Sequence, residues 1–243
     1  MAKTKKTSQT GKVELTELLE AGVHFGHQAK RWNPKMESFI WQDRGGTHIF
    51  DLLKTQEYLQ KVCEAAKKMA AEGKLIVFVG TKRQAQEIVK AEAERCGMPY
   101  ISNRWAGGLL TNWKQVSKSI EKLNKLREGQ EQGEFKHLTK KERVLIDRRI
   151  DQLERLFGGV AGLKEVPEAL FVVDTKREET AVLEANKKGL TVFGVVDTNT
   201  DPALVDHLIP ANDDAVGAIK LVVGTFASAV IEGKAEAEKK EKK

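Results

Sequence analysis

LIVFVGTKR, residues 75–83, is the stretch on which the fold turns. Residues 75–79 are apolar without a break, and Gly80 stops them. So short a continuous run reads as a strand covered on both faces, because a half-exposed strand would alternate apolar and polar positions. From about Arg83 the pattern turns helical as far as Cys96, where Gly97 closes it, and the extended stretch 99–101 completes a strand–helix–strand unit. The same alternation returns downstream: strand at 169–173, helix at 178–188, strand at 191–196 and a last short strand at 205–209. These units predict an α/β fold with a doubly wound parallel sheet of about five strands.

Upstream, Asp51 is placed to cap a long helix that Gly73 stops, with Leu52, Tyr58, Leu59, Val62, Ala66 and Met69 on its inner side. FIWQDRGGTHIF, residues 39–50, reads as a hairpin around Asp43-Arg44-Gly45-Gly46. Before it come a short helix at 15–21, stopped by Gly22, and an irregular segment through Pro34. Roughly seventy residues separate the second and third strands, too many for one crossover. Val116, Ile120 and Leu123, then Ile146, Ile150, Leu153 and Phe157, follow coiled-coil spacing, and Thr139 with Glu142 forms a capping box between the two arms. The expectation is a discontinuous α/β domain over 14–110 and 159–233, with a coiled-coil hairpin inserted at 111–158. A final helix runs from about Asp213 to Ile231, and the charged ends, 1–13 and 234–243, read as disordered on their own.

At 243 residues and 40% hydrophobic content, the chain can build one sizeable core. No run of eighteen apolar residues and no secretory signal is found, so the expected setting is the cytosol, without a membrane partner. Cys63 and Cys96, far apart, read as buried reduced thiols. Charge is unevenly spread: residues 1–160 hold 30 Lys and Arg against 20 Asp and Glu, residues 161–243 hold 11 against 15. A basic first two-thirds suits a face laid on a polyanion, although a solvated lysine-rich surface would look the same.

Chemistry-bearing patterns are few. The turn Gly80-Thr81-Lys82-Arg83 has one glycine and neither a G-x-G-x-x-G nor a Walker A motif, which argues against a free nucleotide. Lys82 and Arg83 at a helix start would equally suit a nucleic-acid phosphate. His24 and His27 lack the spacing of a helical metal pair and read as packing or loop residues. Asp197, Asp213 and Asp214 offer hard oxygen ligands for magnesium, but Asp213 and Asp214 also fit as partners of a helix dipole, and Asp197 as a turn residue. No nucleophile sits in a catalytic context, so no enzyme, cofactor or small-molecule substrate is expected. What recurs is basic residues beside aromatic ones: Lys30-Arg31-Trp32-Asn33 with Lys35, Arg44 near Trp41, and Arg104-Trp105 with Asn112, Trp113 and Lys114. Such pairs can stack on unpaired bases while the cations contact phosphate; each tryptophan alone reads better as a core anchor.

LLEAGVHFGHQAKRWNPKM, FVGTKRQA, RWAGGLLTN, ALFVVD, VDTNTDP and IPANDDA, in this order over residues 14–232, resemble the bacterial-type small-subunit ribosomal protein S-two family. That resemblance implies a flavodoxin-like α/β domain with a protruding coiled-coil hairpin. It also implies a non-catalytic protein that binds small-subunit ribosomal RNA between head and body and helps dock ribosomal protein S-one for messenger binding. Lys30, Arg31, Trp32, Asn33, Lys35, Arg44, Lys82, Arg83, Arg104, Trp105, Asn112, Lys114 and the basic hairpin are then the RNA-facing candidates.

Overall fold

The computed structural model describes residues 13–241 of the chain, with side chains through 239. The N-terminal tail, Val13 apart, lies outside the described residues.

Helix α1 (Leu15–Glu20) leads into a three-stranded antiparallel sheet of β1 (Phe25–Gln28), β2 (Ile40–Arg44) and β3 (Thr47–Phe50), ordered β1-β3-β2. The β2–β3 hairpin is the one the sequence predicts. Gly45 and Gly46 both have positive φ, 64° and 80°, as a tight turn matching strand twist requires, and Asp43 Oδ1 accepts from Gly46 N at 2.8 Å. Strand β1 falls where an irregular segment was expected. Phe-Gly-His-Gln has no β-branched residue, and its pairing with β3 (Phe25↔Ile49, Gln28↔Thr47) is a tertiary effect that local pattern does not carry.

Helix α2 (Leu52–Ala71) is capped by Asp51, whose side chain accepts from Leu53 N. There follow β4 (Ile76–Val79), α3 (Gln86–Cys96), β5 (Tyr100–Ile101), the hairpin arms α4 (Trp113–Gln132) and α5 (Lys140–Phe157), then β6 (Ala169–Val172), α6 (Glu179–Lys188), β7 (Thr191–Val196), β8 (His207–Pro210) and α7 (Val216–Glu241). The large sheet is all parallel, in the order β5-β4-β6-β7-β8. The first and third of its strands are therefore neighbours, as in flavodoxin-like folds. Every residue of β4 and β6 is buried.

Alternate residues feed two cores. On one face Phe78, Phe171 and Phe193 meet Phe226 of α7, with Phe171 stacked on it at 4.0 Å, beneath α2, α3 and α7. Fully burying each such ring is worth about 1.5–3 kcal/mol. On the other face Val77, Val79, Leu170 and Val172 pack with α6 and the root of the hairpin. The arms zip through Val116, Ile120, Leu123, Ile150, Leu153 and Phe157, and the Thr139–Glu142 capping box starts α5.

Helix α7 begins three residues later than expected and runs on through the charged C-terminal stretch, which is helical to Glu241 and not irregular. The added turns have anchors. Lys67 pairs with Glu236 at 2.7 Å, and Lys234 Nζ donates to the carbonyls of Cys96 and Gly97 at 2.8 and 2.9 Å. By length and composition α7 is apolar enough to cross a membrane, the one such helix among the described residues; half of that apolar window is buried in the protein, which accounts for its composition.

Candidate nucleic-acid interface and the crevice beside it

In open α/β sheets ligands collect outside the carboxyl ends of the strands, where strand order reverses; here that is the gap between β4 and β6. The chain fills the gap itself. Lys82, after β4, places Nζ 2.6 Å from Asp214 Oδ1, 2.7 Å from Asp213 Oδ1 and 3.2 Å from Asp174 Oδ2, and only 11% of its side chain is exposed. Thr81 donates to Glu178 from both its amide and its hydroxyl. Burial disfavours the Lys82 ammonium, but the hydrogen bonds it donates to Asp213 and Asp214 outweigh it and raise its pKa. Asp213 is pushed up to about 7, chiefly by burial, then by Asp197 and Asp174, against the pull of Lys82. The reading of Lys82 as a helix-start cation suited to a nucleic-acid phosphate is thus corrected: α3 begins only at Gln86, and three carboxylates enclose the ammonium.

Asp213 and Asp214 precede α7 and sit in a turn whose amides bond to Asn212 Oδ1, so the buried Asp213 is an ion-pair partner and not a dipole partner. His27, read from the sequence as a loop residue, bridges the two sheets: Nδ1 is 3.0 Å from Asp197 Oδ1 and Nε2 is 3.6 Å from Asp214 Oδ2. The Asp197 carboxylate beside it, against some burial, raises its pKa to about 8. Donor atoms of His27, Asp197 and Asp213 lie within 4.8 Å of one another, and Asp213 Oδ2 is buried without a hydrogen-bond partner among the described residues. One nitrogen and two oxygen donors can hold a divalent cation. A phosphate has no place among five carboxylates, Asp174, Glu178, Asp197, Asp213 and Asp214, of which all but Asp214 are buried.

Sequence reasoning named Asp197, Asp213 and Asp214 here, but not Asp174, Glu178 or the bridging place of His27. The signal for Asp174 was the repeat Val-Val-Asp-Thr at 172–175 and 195–198, which sets an acid at the carboxyl ends of adjacent strands.

The basic candidates sort into two groups. Lys30, Arg31, Arg44, Arg83, Arg104 and Lys114 are exposed and have no ion-pair partner among the described residues. Ala29 N donates to Gly46 O at 2.9 Å, which brings Lys30-Arg31 beside the hairpin turn that follows Arg44. Asn112 is exposed at the start of α4. The remainder are engaged within the protein. Lys35 pairs with Asp201 at 2.6 Å; Asn33 caps Lys35 N and donates its own amide to Thr198 O; Trp32 is half-buried, 5.1 Å from the His48 ring. Trp105, one of the RNA-facing candidates although by itself it reads better as a core anchor, is 7% exposed and packed in the core, with Nε1 donating to Glu184 Oε1 at 3.1 Å. Its indole serves the α4 root. Trp41, by contrast, is 67% exposed.

Fold and site together define a class: an α/β scaffold protein with an inserted helical arm, a self-neutralised switch-point crevice and a set of exposed cations without ion-pair partners among the described residues. The family model for Ribosomal protein S2 matches residues 18–233, and the Small ribosomal subunit protein uS2 of Coprothermobacter proteolyticus is 50% identical over 222 residues, covering 91% of this chain and 83% of that protein. The chain belongs to the ribosomal protein S2 family. It is a structural protein of the ribosome that serves translation, and not an enzyme.

Proposed function

We propose that this chain is a cytoplasmic small-subunit protein that binds ribosomal RNA between head and body through its unpaired cations, and helps dock protein S-one for messenger binding. The supporting observation is that Lys30, Arg31, Arg44, Arg83, Arg104 and Lys114 are exposed without ion-pair partners among the described residues, whereas Lys35 and Lys82 are consumed within the fold. Unpaired surface cations release counterions when they meet phosphate, so binding should weaken steeply with salt. Sedimentation of tagged protein with small subunits through sucrose at low and high salt tests this. Co-migration that salt reduces is expected; protein left at the top of both gradients overturns the reading.

For protein S-one the surface that fits is a hollow of about 510 Å³ lined by Leu15, Leu19, Phe25, Trp41 and Leu53, all exposed apolar side chains. Contiguous exposed apolar surface of this kind marks a protein contact. Trp41→Ala should release protein S-one from subunits while this chain stays bound; unchanged retention removes the hollow from that role. Of the acids weighed as metal ligands, Asp213 and Asp214 both pair with Lys82, and Asp197 and Asp213 with His27 are the group whose spacing would suit a cation.

A further inference from the structure

We infer that Glu184 is a positioning residue: its carboxylate clamps the 105–111 loop to α6 and so fixes the direction of the helical arm and the stance of Arg104, Asn112 and Lys114. The inference rests on the reading of that loop and arm as RNA-facing. Glu184 is buried on α6 and accepts five hydrogen bonds from this one loop. Oε1 takes Trp105 Nε1 at 3.1 Å and Gly108 N at 2.7 Å; Oε2 takes Leu110 N, Thr111 N and Thr111 Oγ1, each at 3.1 Å. A loop outside any sheet ladder must find partners for its buried amides, and here a single acid supplies them. Gly108, at φ 87°, adopts the left-handed backbone that the turn requires.

The consequence is mechanical. Helix α4 starts at Trp113, two residues after the last clamped amide, and runs 20 residues. At 1.5 Å per residue that is an arm of about 30 Å, so a tilt of about 10° at its root moves the tip by about 5 Å. No cation pairs with Glu184 among the described residues, so the carboxylate's hydrogen-bonding capacity is given to the loop. Burial works against its charged form, yet the bonds from Gly108, Trp105, Thr111 and Leu110 hold its pKa below the ordinary range.

Glu184→Gln keeps the shape and turns one acceptor oxygen into a donor facing donors. In the otherwise native chain, spin labels at Glu131→Cys near the arm tip and Lys220→Cys on the body should give a broader distance distribution in this variant, Cys63 and Cys96 being buried. Exchange of the Gly108, Leu110 and Thr111 amides should rise at least tenfold while β4 and β6 stay protected, and affinity for small subunits should fall at least tenfold. Val182→Ala, on the same helix and in the core, is the control for general destabilisation and should bind as the native chain does. Thr111→Val, which removes one donor and keeps the acid, should give smaller shifts of the same sign, and decides the matter if Glu184→Gln does not fold. An unchanged distance distribution overturns the clamp. A broadened one with undiminished subunit affinity, or equal loss of affinity in Val182→Ala, overturns its role in assembly. Native protein that fails to join subunits overturns the RNA reading instead, and the distance distribution then still decides the clamp.

Discussion

Glu184 and Asp213 are both carboxylates enclosed by protein, yet the chain satisfies them by different means. Around Glu184 every partner is a neutral donor from one loop, residues 105–111. Around Asp213 the neighbours are charged and come from four separate segments: Lys82 after β4, Asp174 after β6, Asp197 after β7 and His27 on β1. Neutral donors at fixed spacing define the shape of a loop. Charges drawn from distant segments tie those segments together, at the desolvation cost that every buried ion carries. The first arrangement is a local clamp, and the second is a knot at the carboxyl end of the whole sheet.

The knot should fail more heavily than the clamp. Lys82→Met leaves Asp213 and Asp174 buried without their cation, a change that typically costs about 3–5 kcal/mol. Urea unfolding should show that loss, and adding Asp213→Asn should recover part of it because the orphaned charge is then gone. A Lys82→Met cost under about 1 kcal/mol, or no recovery in the double variant, would break the distinction drawn between the two sites.

Why one site was partly legible in the sequence and the other hardly at all follows from the range of the contacts. LIVFV and ALFVV announce buried parallel strands because burial on both faces is written in each residue. The arms are equally open to reading, since coiled-coil spacing and the Thr139–Glu142 box are local. So is the loop RWAGGLLTN, whose glycines mark a turn. Its clamp lies 73 to 79 residues away on α6, in a helix where Glu184 looks like any other acid. Lys82 and Asp213 are 131 residues apart, and nothing near Lys82 distinguishes an ion-paired lysine from a phosphate-seeking one. Strand β1 and the C-terminal turns of α7 were missed for the same cause, because each is ordered by a partner remote in sequence.

Acid should separate the two sites by sign. The Glu184 carboxyl titrates below its ordinary 4.5, so its contribution is present above that pH and is lost as pH falls through the lower folded value. Asp213 is shifted the other way, upward, and so does not share that dependence. Lowering the pH from 7 to 5 should therefore leave the loop amides of Gly108, Leu110 and Thr111 protected, with exchange, corrected for its intrinsic pH dependence, rising only once the pH falls below the ordinary carboxylate range. A rise already complete at pH 6 would show that these amides are not held by a carboxylate of depressed pKa.

The smallest effect tests the comparison at adjacent residues. Arg83 follows Lys82 directly but is exposed and unpaired among the described residues, so Arg83→Ala should change stability by no more than about 0.5 kcal/mol. If Arg83 meets a phosphate, its removal should lower the salt slope of subunit binding by about one, uniformly across RNA sequences. Lys82→Met, measured at a temperature where it remains folded, should leave that slope unchanged, because its ammonium is already neutralised by Asp174, Asp213 and Asp214. Two neighbouring cations would then differ in kind, one a part of the fold and one a part of the interface. Equal slopes for Arg83→Ala and the native chain would withdraw Arg83 from the RNA surface, and a reduced slope for Lys82→Met would mean that the knot opens when the protein binds.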